Sequence, residues 1–167
     1  MSRVTRIAAE LGVARPGAEI ELEYDIPEEA WYFADNGQPR MPFCVLLEAV
    51  LQPCGWLAVF VGCPASSEED LYFRNLDGTG TVLAELRPGD GTLRTRTRLT
   101  GVSRASGMIL TSFEVECRAG ERVVYTLKTS FGFFPRAALA AQVGLPVENE
   151  DRAWLDRASD FEVDLRD

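Results

Sequence analysis

Cys44, Glu48 and Gln52 stand four residues apart in the segment Met41 to Gly62, MPFCVLLEAVLQPCGWLAVFVG, whose only polar side chains are Glu48 and Gln52. On a helix that spacing puts all three on one face, spread over roughly 12 Å of axis. A carboxylate in such apolar company has to be paired, hydrogen-bonded or protonated. A raised pKa is the expected result, and that is the property of a general acid or base. The plainer alternative is that Glu48 caps a distant loop or binds backbone amides. Four cysteines (Cys44, Cys54, Cys63, Cys117) form no CxxC pair and the chain contains no histidine. No metal site is expected from them; reduced, buried thiols are.

The element that carries this face reads as a buried helix, because it is apolar all round. Its length would also serve to cross a bilayer, but a central Glu48 with Gln52 and Pro53 beside it is costly in lipid. A soluble helix wrapped by a sheet is the expectation. Pro53 removes the bond to the Ala49 carbonyl and predicts a kink just after Gln52.

Strands flank the helix. AEIELEYDI, Ala18 to Ile26, alternates apolar and acidic residues with period two. Beyond Asp70 come LYFRNL, then GTVLAEL after a turn at Asp77-Gly78, then TLRTRTRLTGV, MILTSFEVEC and RVVYTLKTSFGFF, the spacing of an antiparallel meander. Arg94, Arg96 and Arg98 share one strand face, with Glu114 and Glu116 on the next, which predicts cross-strand ion pairing outside; a docking surface for an acidic carrier is the alternative. Phe113, Val115 and Cys117 are expected to meet Val123, Tyr125 and Leu127 in the core, across a three-residue loop Ala119-Gly120-Glu121. Segments Leu71 to Leu76 and Arg94 to Arg98 are the candidates for sheet edges, and so for self-association.

At 167 residues the chain suits one domain, with residues 1–17 as an N-terminal extension and 135–167 as an acidic tail opening on a short helix, Arg136 to Val143. Seventeen basic against 26 acidic residues give a net charge of −9, which excludes a phosphate-neutralising nucleic-acid binder. Met1 to Gly12 lacks an apolar signal-peptide region, so a cytoplasmic location without membrane attachment is expected.

One strand, a long buried helix, then four or five antiparallel strands is the element order of an α+β hot-dog fold, a sheet wrapped around a helix. WYFADNGQPRMPFCVLLEAVLQPCGW resembles the helix motif of the hot-dog 3-hydroxyacyl-carrier-protein dehydratases of the beta-hydroxydecanoyl thioester type. MPFCVLLEAVLQPCGW, LYFRNLDGTGT and TSFGFFPRAALAAQVGLP are closer still to a dehydratase-like unit of polyunsaturated fatty acid or polyketide synthases. The resemblance implies a substrate carried as a 3-hydroxyacyl thioester on the phosphopantetheine of an acyl carrier protein, no cofactor of the chain's own, and a second hot-dog unit, as a dimer or an adjacent domain, with sites between the two.

In those dehydratases a His before the helix removes the C2 proton and a helix Asp or Glu protonates the leaving hydroxyl. By position Glu48 is similar to that acid and Gln52 to the polar residue one turn on. Met41 and Pro42 are similar to the segment that opens the helix in that family, and Cys44 to a residue that lines its pocket. The His position falls at Ala34, and a glycine that donates its amide falls at Phe43, whose side chain is expected to fill the place of the acyl thioester. Three readings follow. The unit is a pseudo-enzyme or half-site completed by a His-bearing partner; or a thioesterase in which Glu48 activates water or attacks the thioester, with the Phe43 or Cys44 amide as oxyanion donor; or a dehydratase that replaces His with Asp35 or Asn36. Asp35 is a weak base near neutral pH, and Asn36 is none.

Overall fold

Period-two alternation sorts each long strand onto two faces. In TLRTRTRL the buried set is Leu93, Thr95, Thr97 and Leu99 while the arginines stand outside, and in MILTSFEVEC it is Ile109, Thr111, Phe113, Val115 and Cys117. The computed structural model describes residues 1–142 together with Gly144, Asn149 and Arg152. Chain contacts divide it into a unit Met1–Arg136 and a second, Ala137–Asp167.

The first unit holds a six-stranded antiparallel sheet: β1 Arg3–Ala8, β2 Glu19–Asp25, β3 Leu71–Val82, β4 Thr92–Ala105, β5 Met108–Ala119 and β6 Arg122–Pro135, in the order β1-β2-β4-β5-β6-β3. A short α1, Trp31–Ala34, and the 18-residue α2, Phe43–Phe60, lie between β2 and β3. Helix α2 packs on the buried face of β2, β4 and β5, so the architecture is the expected α+β one. In the second unit the described residues carry most of α3, Arg136–Ala140; Val143, the expected end of that helix, lies outside the described residues.

Several expectations are corrected. Residues 1–17 do not form a mere extension, because Arg3–Ala8 pairs with β2 as an edge strand. The Asp77-Gly78 turn is absent: β3 runs straight through it, and a bulge between Asn75 and Asp77 absorbs the extra residue. Leu71 to Leu76 is an edge, but Arg94 to Arg98 lies in β4, paired on both sides. The β5–β6 loop has two residues, not three, since Ala119 pairs with Arg122, and Gly120 takes the positive φ of 58° the turn demands. A bulge after Cys117 lets Val124 enter the core where Val123 was expected.

The largest correction concerns α2. Leu46, Val50, Cys54, Leu57 and Ala58 are buried, whereas Phe43, Cys44, Glu48, Gln52 and Val59 are exposed. The helix is long and apolar enough to cross a membrane by composition, and its buried stripe is the core of this fold. One sheet covers one side of a helix; the other side of α2 needs something else.

Candidate functional site

Pro42 starts α2. Its φ of −57° suits a helix entry but its side chain cannot cap, so the first-turn amides of Phe43 and Cys44 precede the helix ladder, which begins with Val45 and Leu46 donating to the Pro42 carbonyl. Met41 is buried, and its amide donates to the Leu86 carbonyl, tying the entry to the chain beyond β3.

Two turns on, Gln52 donates through Nε2 to Glu48 Oε1 at 2.6 Å. Both are exposed, so the apolar enclosure expected around Glu48 is absent. The two side chains open onto a groove of about 700 Å³ between the uncovered face of α2 and the edge strand β3. Leu51, Gly55, Trp56, Val59 and Phe60 form the helix wall, and Phe73, Asn75 and Phe131 the sheet wall. Trp56 stacks on Phe60 at 5.0 Å, and Phe73 on Phe131 at 4.8 Å with only 2° between the planes. Asn75 is already engaged, donating through Nδ2 to Thr129 Oγ1 at 2.9 Å, while Thr129 donates to the Asp77 carbonyl at 2.7 Å.

The other expected site residues lie elsewhere. Phe43, Met41 and Asn36 line a separate cavity of about 340 Å³ with Pro42, Arg40 and Leu86, and Glu48 does not reach it. Phe43 is 53% exposed and meets Tyr125 edge-on at 6.0 Å, so its ring stands beside that cavity rather than over Glu48. Asp35 caps the end of α1 by donating its amide to the Trp31 carbonyl, and its exposed side chain is in open turn structure. Asn36 spends its amide on the Arg40 carbonyl at 3.0 Å. Ala34 is exposed at the end of α1. Of the residues singled out in the sequence, the fold therefore joins Glu48 with Gln52 and groups Met41, Phe43 and Asn36 apart from them.

The cysteines split in the same way. Cys54, Cys63 and Cys117 are buried as expected, and burial raises all three thiols, that of Cys117 to about 11, so they are neutral fillers of the core. Cys44 is exposed, contrary to expectation, one turn before Glu48. Sequence reasoning missed the sheet wall of the groove. Its signal was present in LYFRNL, where apolar residues occupy both parities of one short segment, as on an edge strand that uses both faces.

Residues 1–128 match the FabA-like domain family. One of the component proteins of the polyunsaturated fatty acid synthase of Thraustochytrium sp. is 34% identical over 138 residues, which is 80% of this chain and 9% of that protein, so the chain spans about a tenth of that relative. Among solved structures, a variant of the fluoroacetyl-CoA-specific thioesterase FlK aligns with a TM-score of 0.55 at 15% identity, covering 77% of this chain and 93% of that one. A thioesterase superfamily member from Thermus thermophilus aligns with a TM-score of 0.55 at 16% identity, covering 76% and 88%. At those identities the structures speak for the fold, the hot-dog sheet and helix, and the match over residues 1–128 speaks for the lineage: this chain belongs to the FabA-like domain family.

Proposed function

We propose that the chain is a half-site hot-dog unit for 3-hydroxyacyl thioesters carried on the phosphopantetheine of an acyl carrier protein in the cytoplasm. It supplies Glu48 as the acid and Gln52 as its positioning partner, and a second hot-dog unit supplies the base. The observation that carries this reading is that Glu48 and Gln52, hydrogen-bonded to each other, open onto an apolar groove beside an edge strand, in a chain with no histidine. Dehydration requires two proton transfers. A base takes the C2 proton while an acid gives its proton to the C3 hydroxyl, which leaves as water. Glu48 can fill one of these roles at a time. Against Asp35 or Asn36 filling the other stand the exposed turn position of Asp35 at the end of α1 and the separate cavity that Asn36 lines.

The test is enoyl absorbance with a 3-hydroxyacyl-pantetheine substrate. The chain alone is expected to be inactive; adding a His-bearing hot-dog unit restores turnover, and Glu48→Gln then lowers it by about 10² to 10⁴-fold. Robust dehydration by the chain alone would overturn the reading.

A thioesterase is the second reading, favoured by one observation: Glu48 is reached from the open groove without passing Phe43. In it Glu48 would activate water or attack the thioester, and the amide of exposed Cys44, one turn earlier, would face the developing oxyanion, while the Phe43 amide lies with the separate cavity. Release of free thiol from acyl-pantetheine, lost in Glu48→Gln, would favour it over the half-site.

A further inference from the structure

Ser66 stands in the connection that carries the chain from the end of α2 to the start of β3, in the run Pro64-Ala65-Ser66-Ser67-Glu68-Glu69-Asp70. Pro64–Ser66 makes one 3-10 turn, and Ser66 is exposed at its end. The Ser66 hydroxyl donates to the Cys63 carbonyl at 2.7 Å and accepts from Nη2 of Arg104, on β4, at 3.5 Å. Among the described residues the Arg104 guanidinium bonds Ser66 and no carboxylate. Between this turn and the β4–β5 hairpin tip, Ser106-Gly107, lies a cavity of about 260 Å³ that Ser66, Ser67 and Arg104 line.

Carboxylates follow Ser66 at the second, third and fourth positions on. That run complements a protein kinase whose substrate groove is basic. Ser67 is the poorer acceptor, because it is only half-exposed and its Oγ already accepts from the Glu69 amide at 3.1 Å. We propose that Ser66 is a phosphorylation site for an acidophilic serine kinase and that Arg104 receives the phosphate. The Ser66 oxygen attacks the γ-phosphorus of ATP, the bond to the bridging oxygen breaks, ADP leaves, and the hydroxyl proton passes to the kinase's base. The new ester carries a charge of about −1.5 to −2 beside Arg104. It gives up one neutral bond to the Cys63 carbonyl and gains charge-assisted bonds to the guanidinium, each roughly twice as strong. Repulsion from Glu68, Glu69 and Asp70 is the smaller effect, since all three are exposed and screened. The clamp fastens the connection after α2 to the β4–β5 hairpin, and it stands independently of the acyl-thioester reading.

The experiment treats the whole chain with ATP and an acidophilic serine/threonine kinase, maps the product by tandem mass spectrometry and follows thermal unfolding. One phosphoryl group is expected, on Ser66, absent from Ser66→Ala and kept in Ser67→Ala and Arg104→Gln. Phosphorylated wild type is expected to melt about 2 to 4 °C above the unmodified chain at low salt. The gain shrinks at high salt and vanishes in phosphorylated Arg104→Gln. Arg104→Lys keeps the charge without the planar fork and retains part of the gain, so the pairing is tested even if the Gln variant folds poorly. Phosphate on Ser67 instead of Ser66, no phosphorylation at all, or a melting shift that is the same with and without the Arg104 charge would overturn the inference.

Discussion

Strand β1 ends the sheet on one side and β3 on the other, and the side chains they carry have little in common. β1 has six residues and is fastened by charge. Arg3 bonds Glu23 at 2.8 Å and Asp25 at 2.6 Å, and Arg6 bonds Glu19 at 2.7 Å and Glu21 at 3.0 Å. Glu19, only 6% exposed, also accepts from Arg96 of β4 at 2.6 Å, so one carboxylate stitches three strands. β3 has 12 residues, no ion pair among the described residues, and exposed Tyr72, Phe73, Leu76 and Val82. A short edge fastened by ion pairs resists adding another strand, and a long one with exposed apolar side chains among its polar ones invites it. A second unit is therefore expected to dock beside β3 and the open face of α2, where Glu48 also lies.

The largest expected effect falls on the core that both edges share. Leu57 is fully buried on α2, and Leu57→Ala is expected to cost about 2 to 5 kcal/mol in urea unfolding, loosening both edges together. A loss below about 1 kcal/mol would mean that α2 is not the centre of the fold.

Next comes the contrast of edges itself. Leu76→Lys replaces an exposed apolar side chain in the middle of this edge by a charge and is expected to weaken association, with itself or a second hot-dog unit, by about 10-fold or more in analytical ultracentrifugation. Val4→Lys on β1 is expected to leave association unchanged. The reverse result would move the interface to the charged edge.

The smallest effect is the most specific. The guanidiniums of Arg96 and Arg6 hold the Glu19 carboxyl below the usual carboxylate range against the opposing pull of burial. A depressed folded-state pKa gives stability that is complete above the unfolded value of about 4.3 and is lost as pH falls through the lower folded value. Glu19→Gln is therefore expected to cost about 1 kcal/mol at neutral pH, discounted because both arginines are half in solvent, and to flatten the acid side of the stability curve below about pH 4.5. An unchanged acid limb in thermal melts would show that the Glu19 stitch is energetically silent.

Strand identity was legible because alternation is a local property: AEIELEYDI and TLRTRTRL name their buried faces whatever they pair with. The facing of Arg96 and Arg98 with Glu116 and Glu114 was legible for the same reason. The choice among ion partners was not. Arg96 takes Glu19 because β4 has a second neighbour, β2, that no hairpin announces, and Glu114 takes Lys128 across the other hairpin that β5 makes, with β6. β1 escaped notice since all six of its residues are exposed and only pairing makes it a strand.

Local pattern alone was enough for most of the elements, for most core residues on each, and for the adjacency of Glu48 and Gln52, because period two, period 3.6 and a four-residue offset depend on nothing beyond the segment. It took the packed fold to show that α2 is covered on one face and that β3 crosses to the far side of β6. Packing likewise separated Phe43 and Asn36 from Glu48 into another cavity, and brought Gly55 against Phe73. Those facts follow from strand order and the crossover after α2, which bring together residues remote in the chain. An apolar block such as Met41 to Gly62 looks the same in sequence whether a sheet covers all of it or half.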